Sequence, residues 1–92
     1  MDITVSDNPA RSRYEAFIDG KLAGFAAYRA TPDRIVFTHT EIEPAFEGKG
    51  VGSVLARQAL DDVRTKGRPI TPRCPFIADF IDKHPEYQDL VR

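Results

Sequence analysis

Apolar and polar residues alternate in the first half of the chain and recur every third or fourth position in the second half. Tyr14–Asp19 and Lys21–Arg29 have strand-like composition, and Asp19-Gly20 between them is a strong hairpin turn signal. Arg34–Ile42 is the richest segment in β-branched and aromatic residues, with Ile35, Phe37 and His39 at odd positions and Val36, Thr38 and Thr40 at even ones. Apolar residues on both faces predict a strand near the middle of a sheet. Ile3–Val5 can add a short edge strand. After Pro44 the period changes. Val51, Leu55, Ala59 and Val63 recur every four residues and Ala56 and Leu60 widen the stripe, while Arg57, Asp61 and Arg64 lie on the other side. This predicts an amphipathic helix ending near Gly67. Arg68–Thr71 reads as one more short strand, and Phe76, Ile77, Phe80 and Ile81 as a second helix that stops before Pro85. The order of a β-meander, a helix, a strand and a helix predicts an α+β fold of layered α/β type, with a mixed sheet.

Length and charge narrow the classes. With 92 residues and no linker or repeat, residues 1–92 are read as a single domain. Thirteen basic residues nearly balance fourteen acidic ones. No basic stripe draws the chain to nucleic acid or to an anionic membrane, so an anion site has to be local. There is no run of about 18 apolar residues to span a bilayer, and the N-terminus lacks a basic segment followed by an apolar one. The single cysteine, Cys74, cannot form an internal disulfide, which fits a reducing, cytoplasmic setting. No metal-ligand set is read from the sequence, and oligomeric state is not legible in it.

The chemistry concentrates between the best strand and the best helix. Glu47–Ser53 reads EGKGVGS. A helix start leaves its first amides unpaired and carries partial positive charge. Glycines let backbone approach a ligand closely, so Gly48, Gly50 and Gly52 at this position can cradle a phosphate or pyrophosphate, with Lys49 adding a mobile cation. A Walker A loop and a Rossmann fingerprint both fail, because the lysine precedes the last glycines and neither Ser53 nor Leu55 is the third glycine. Alone, the cluster is equally a glycine-rich turn that admits the chain to a helix.

The surrounding residues add a resemblance. Ile35–Leu60, IVFTHTEIEPAFEGKGVGSVLARQAL, resembles the acetyl-CoA-binding core of the GNAT superfamily of N-acetyltransferases, in which a splayed central strand leads through a Gln/Arg-x-x-Gly-x-Gly/Ala loop into a helix. Here the loop maps to Glu47, Gly50 and Gly52, with Glu47 standing where the family usually has Gln or Arg. Minimal GNAT-like proteins of about this length are similar in Phe37–Glu41, in Cys74–Phe76 and in His84–Tyr87. The resemblance implies a mixed, mainly antiparallel sheet with two main helices, acetyl-CoA as co-substrate, and an amine acceptor, either a small amine or a protein lysine. It places Ile42, Glu43, Gly48, Lys49, Gly50, Val51, Gly52 and Ser53 at the coenzyme, held largely by backbone amides. It puts Thr38–Glu43 and the surroundings of Cys74 beside the thioester.

Acetyl transfer to an amine needs a base, a polarised carbonyl and a proton for the departing thiolate. His39 is the candidate base, since histidine ordinarily titrates near neutrality; on strand alternation it shares a face with Ile35 and Phe37, where a packed core role is the alternative. Glu41 can orient His39 or act as base itself. Cys74 precedes Pro75 at a helix start, where a thiolate is stabilised. It can line the acetyl pocket, accept the acetyl group covalently, or be an inert buried thiol. Tyr87 can protonate the thiolate or pack the tail against the sheet, and Arg73 can touch phosphate or lie in solvent. Three classes stay open: an N-acetyltransferase with an open acceptor face, a coenzyme-binding module with little catalysis, and a partner-binding domain whose glycines only turn the chain.

Overall fold

The structure, a computed structural model, describes residues 2–92. Five strands form one sheet in chain order: β1 (Ile3–Asn8), β2 (Arg13–Ile18), β3 (Lys21–Ala30), β4 (Ile35–Ile42) and β5 (Ile70–Pro72). The first four pair antiparallel and β5 joins β4 in parallel, so the sheet is mixed. The parallel step requires a crossover, and α1 (Val51–Thr65) supplies it. A second helix, α2 (Pro75–Lys83), follows β5, and a 3-10 turn over Pro85–Leu90 ends the fold. No helix among the described residues is long and apolar enough to cross a membrane.

Local chemistry explains these elements. Asp19 and Gly20 both have positive φ, 51° and 78°, the combination that a two-residue hairpin turn requires to match strand twist. The stripe of α1 holds as read: Val51, Leu55, Ala56, Ala59, Leu60 and Val63 are all buried. Ile77, Phe80 and Ile81 do the same for α2. Both helices share one core with Tyr14, Ala16, Ala26, Phe37 and Ile70 of the sheet, and they meet where Gly52 faces Phe76. The opposite sheet face has no helix, and Phe17, Phe25 and Ala27 remain half-buried on it.

Three points differ from the sequence reading. β1 runs through Asn8 rather than stopping at Val5, because its alternating residues continue to pair up to Asn8 opposite Arg13. The tail seats on α1 rather than on the sheet: the Tyr87 hydroxyl donates to Asp61 at 2.7 Å and accepts from Arg57 at 3.2 Å. Arg64 holds Asp89 through paired bonds at 2.9 and 3.0 Å. The polar side of α1 thus fastens the C-terminal turn, and the chain end reaches the sheet where Val91 bridges to Ile70 and Arg34 donates to the Arg92 carbonyl at 2.8 Å.

The third difference is a bulge. Tyr28 pairs with Phe37 but Ala27 pairs with His39, leaving Thr38 as the extra residue in β4. One inserted residue reverses which face every later side chain takes. Thr40 lies opposite buried Ala26, on the same face as Phe37, whereas His39 and Glu41 lie opposite Ala27 and Phe25 on the uncovered face. His39 therefore does not share a face with Ile35 and Phe37.

The sheet is tied to α1 by a buried tyrosine. Tyr14 donates to Asp62 at 2.6 Å, and Lys66 holds the same carboxylate at 2.8 Å. Burial, followed by the bond to Asp62, pushes the Tyr14 phenol well above its ordinary range and keeps it a donor. Burial also acts to raise the Asp62 carboxyl, but the bonds from Lys66 and Tyr14 outweigh it and hold the group below the usual carboxylate range. Tyr14→Phe should cost about 1 kcal/mol at neutral pH, a modest value because Asp62 is 39% exposed and solvent screens the pair. A depressed folded-state carboxyl stabilises above its unfolded pKa of about 3.9 and loses that contribution as pH falls through the folded value. Urea unfolding should therefore show the wild-type advantage over Tyr14→Phe constant down to about pH 5 and shrinking below about pH 4.

Candidate functional site

The glycine loop forms the first part of the site. Gly48 and Gly50 both have φ of 79°, and a Cβ at either would touch nothing within 4 Å. Their requirement is conformational: left-handed backbone is accessible to glycine at little cost. Gly50 is the N-cap of α1, and no side chain caps the helix. The first intrahelical bond runs from Val54 N–H to the Gly50 carbonyl at 3.2 Å, so the amides of Val51, Gly52 and Ser53 have no partner within the helix. No acidic side chain stands in the first turn. These residues border a cavity of about 360 Å³, with Ile42, Phe46 and Phe76 on its apolar side. Of the coenzyme residues expected from sequence, Ile42, Gly48, Gly50, Val51, Gly52 and Ser53 line it, while Glu43 and Lys49 stand outside the lining; Glu47 lines it with its side chain exposed.

The second part is a gap in the sheet. β4 and β5 pair only from Ile35–Ile70 to Phe37–Pro72. There the Phe37 carbonyl accepts from both the Arg73 and the Cys74 amides, each at 3.0 Å. The chain then turns into α2, with Cys74 as its N-cap and Pro75 in its first turn. Beyond Phe37, no strand among the described residues pairs with β4 on that side. The Glu43 amide donates to the Ala23 carbonyl at 2.8 Å. Main-chain groups of successive strand residues point to alternate edges, so those of Ile42 and Thr40 turn toward the gap. An extended ligand segment can satisfy them as a missing strand would.

The side chains divide between the two faces of this gap. Thr40 Oγ1 lies 3.2 Å from Cys74 Sγ, and Cys74 is only 3% exposed. On the uncovered face, His39 Nε2 lies 3.6 Å from Glu41 Oε2, with the two side chains 60% and 62% exposed. The His39 ring meets Phe25 edge-on at 6.2 Å, and the Arg13 guanidinium covers Phe25 at 4.5 Å. The structure thus brings His39 and Glu41 together and sets Cys74 on the other side with Thr40. The sequence reading held Thr40 only within the Thr38–Glu43 stretch and did not single it out, because the bulge at Thr38 is what turns it toward Cys74. The Tyr87 hydroxyl is taken by Asp61 and Arg57, about two to three turns into α1. Arg73 is exposed.

A larger cavity, about 630 Å³, lies between β1 and α1 and contains Asp7, Asp61 and Asp62. All three carboxylates already have partners: Asp7 binds Tyr28 and Lys66, Asp61 binds Tyr87, and Asp62 binds Tyr14 and Lys66. Its carboxylates serve to join the sheet to the helix.

A free helix start beside a strand split from its parallel neighbour is the arrangement of an acyl-coenzyme A N-acyltransferase fold. The profile of the GCN5-related N-acetyl-transferase family matches residues 13–90, and the chain belongs to that family. It is 41% identical to streptothricin acetyltransferase of Streptomyces lavendulae over 63 residues, 66% of this chain and 33% of that protein. The chain thus spans about a third of that relative's length. The solution structure of a GCN5-like protein from Staphylococcus aureus superposes with a TM-score of 0.72 at 20% identity, covering 97% of this chain and 87% of that one. The ribosomal-protein-alanine N-acetyltransferase of Brucella melitensis biovar Abortus 2308 gives 0.61 at 18% identity, with 87% and 60% covered. The ribosomal-protein-S18-alanine N-acetyltransferase of Escherichia coli gives 0.59 at 20% identity, with 63% and 38% covered. At these identities the structures establish the fold, mixed and mainly antiparallel with two main helices.

Gly48→Ala and Gly50→Ala should each destabilise by roughly 1–2 kcal/mol through left-handed backbone alone, since neither new methyl meets an obstacle. Chemical unfolding measures this. A d-configured alanine introduced at Gly50 by ligation should restore most of the loss, because it favours positive φ.

Proposed function

We propose that this protein is an acetyl-CoA-dependent N-acetyltransferase that passes the acetyl group directly to an amine arriving from the uncovered sheet face. The observation that carries the reading is the β4 gap, which has a phosphate-type cradle and Thr40–Cys74 on one side and His39–Glu41 on the other. The amides of Val51–Ser53 would hold the pyrophosphate, and the main chain of Thr40 and Ile42 would hold the pantetheine arm. Acetyl-CoA supplies an acetyl group activated as a thioester. The amine nitrogen bonds to the acetyl carbon as the C–S bond breaks. His39, with Glu41 beside it, accepts the amine proton, and coenzyme A leaves as a thiolate that takes a proton from solvent. The exposure of His39 and Glu41 suits a base that exchanges protons with solvent and admits a bulky acceptor. Cys74 lines the acetyl pocket. The fully buried position of its thiol, with Thr40 at its sulfur, supports a lining role over a covalent one. A cytoplasmic setting belongs to the same proposal, since Cys74 is a free thiol.

The test is coenzyme A release with an acceptor panel that includes small amines and lysine peptides. His39→Ala and Glu41→Gln should each lower kcat/KM, His39→Ala by about 100-fold, the range typical of losing a general base. Both should leave acetyl-CoA affinity unchanged by calorimetry. Cys74→Ala should retain turnover within about tenfold, and intact mass of the wild type after acetyl-CoA alone should show no acetyl group that depends on Cys74. An adduct that disappears in Cys74→Ala, together with lost turnover, would establish the two-step route instead. Tight binding without turnover on any acceptor would favour a coenzyme-binding module.

A further inference from the structure

We propose that Phe76 is a specificity-determining wall of the coenzyme cavity, and that Gly52 lacks a side chain to seat the Phe76 ring rather than to admit phosphate. The inference rests on the reading of this cavity as the coenzyme site and adds residue roles to it.

Phe76 is conspicuous for its exposure. Among the large apolar side chains of the described residues, only Phe76 at 40% and Val91 at 45% are strongly exposed. Val91 pairs with Ile70 through its backbone at the end of the chain. Phe76 has no comparable assignment: its neighbour Ile77 is fully buried and anchors α2, while the Phe76 ring projects beside the cradle. With Ile42 and Phe46 it forms the apolar side of a cavity whose other side consists of the amides of the glycine loop. A ligand made only of nucleotide and phosphate uses one side. A ligand that uses both carries a branched apolar group close to its phosphates, as coenzyme A does in the dimethyl carbon of its pantetheine arm.

Gly52 ties this wall to the loop. Unlike Gly48 and Gly50, it lies within α1 and has no positive φ. Its constraint is steric: a Cβ there would lie 2.7 Å from Phe76 Cζ and 3.3 Å from Cε1. The ring is exposed enough to swing aside, so Gly52→Ala should fold, and helix propensity favours alanine over glycine. The cost should appear in the cavity wall.

The experiment measures Kd by calorimetry for coenzyme A and for adenosine 3′-phosphate 5′-diphosphate, the same nucleotide without its pantetheine arm. Wild type should prefer coenzyme A. Phe76→Ala should weaken coenzyme A by about tenfold, the loss expected for a modest apolar contact, and change the nucleotide by less than about twofold. Phe76→Leu should fall between. Gly52→Ala should reproduce the Phe76→Ala pattern, and adding it to Phe76→Ala should cost nothing more. Equal weakening of both ligands by Phe76→Ala, or a Gly52→Ala penalty that persists without the ring, would overturn the proposal. Wild type binding neither ligand would remove the coenzyme reading itself, and the proposal with it.

Discussion

The Phe37 carbonyl is the point on which the site depends. Up to that residue β4 is an ordinary inner strand, paired with β3 on one side and β5 on the other. At Phe37 two successive amides, of Arg73 and Cys74, converge on one oxygen. That pair of hydrogen bonds ends the parallel ladder, starts α2 at Cys74 and leaves the rest of β4 with an unpaired edge. A buried edge with unmet donors and acceptors is costly, whereas one that opens on a cavity is available to a ligand. The Thr38 bulge occurs at the same level. It sends Thr40 and Ile42 toward the helices and His39 and Glu41 to the uncovered face. One short stretch of irregular backbone therefore creates the gap and sorts the side chains around it.

The remainder of the molecule keeps this stretch in place. α1 is held to the sheet by its buried stripe and by Tyr14 at Asp62, and its outer side binds the C-terminal turn through Arg57, Asp61 and Arg64. The helix start is left without a side-chain cap or an acidic residue in its first turn, so its amides remain directed at the cavity. With only 92 residues and both helices on one face, the other sheet face has no cover. His39 and Glu41 stand exposed on that face.

Much of the fold was legible because it rests on periodic patterns and turn chemistry. Asp19-Gly20 announced a hairpin and both residues have the required positive φ. The four-residue stripe from Val51 to Val63 is buried throughout. The glycine loop was legible as a helix start, and the resemblance pointed to the family whose profile matches the chain. The bulge was not legible, since Thr38 differs in no way from an ordinary strand residue, and counting alternate positions across it placed His39 on the wrong face. The contact of Thr40 with Cys74 was hidden for the same reason. Phe76 read as one more apolar position of α2, because its exposure depends on where α1 begins and not on spacing within α2. The partners of Tyr87 were hidden too: Asp61 and Arg57 looked like the solvent side of an amphipathic helix, and nothing local indicates that a distant turn folds back on them.

The most direct measurement is the amide chemical-shift map of the protein titrated with acetyl-CoA. The account predicts that the largest changes fall on Val51, Gly52 and Ser53 at the helix start and on Thr40 and Ile42 along the unpaired edge of β4, with Asp7, Asp61 and Asp62 little affected. Saturable changes centred on the β1–α1 cavity, with the glycine loop and the Thr40–Ile42 edge unmoved, would contradict it.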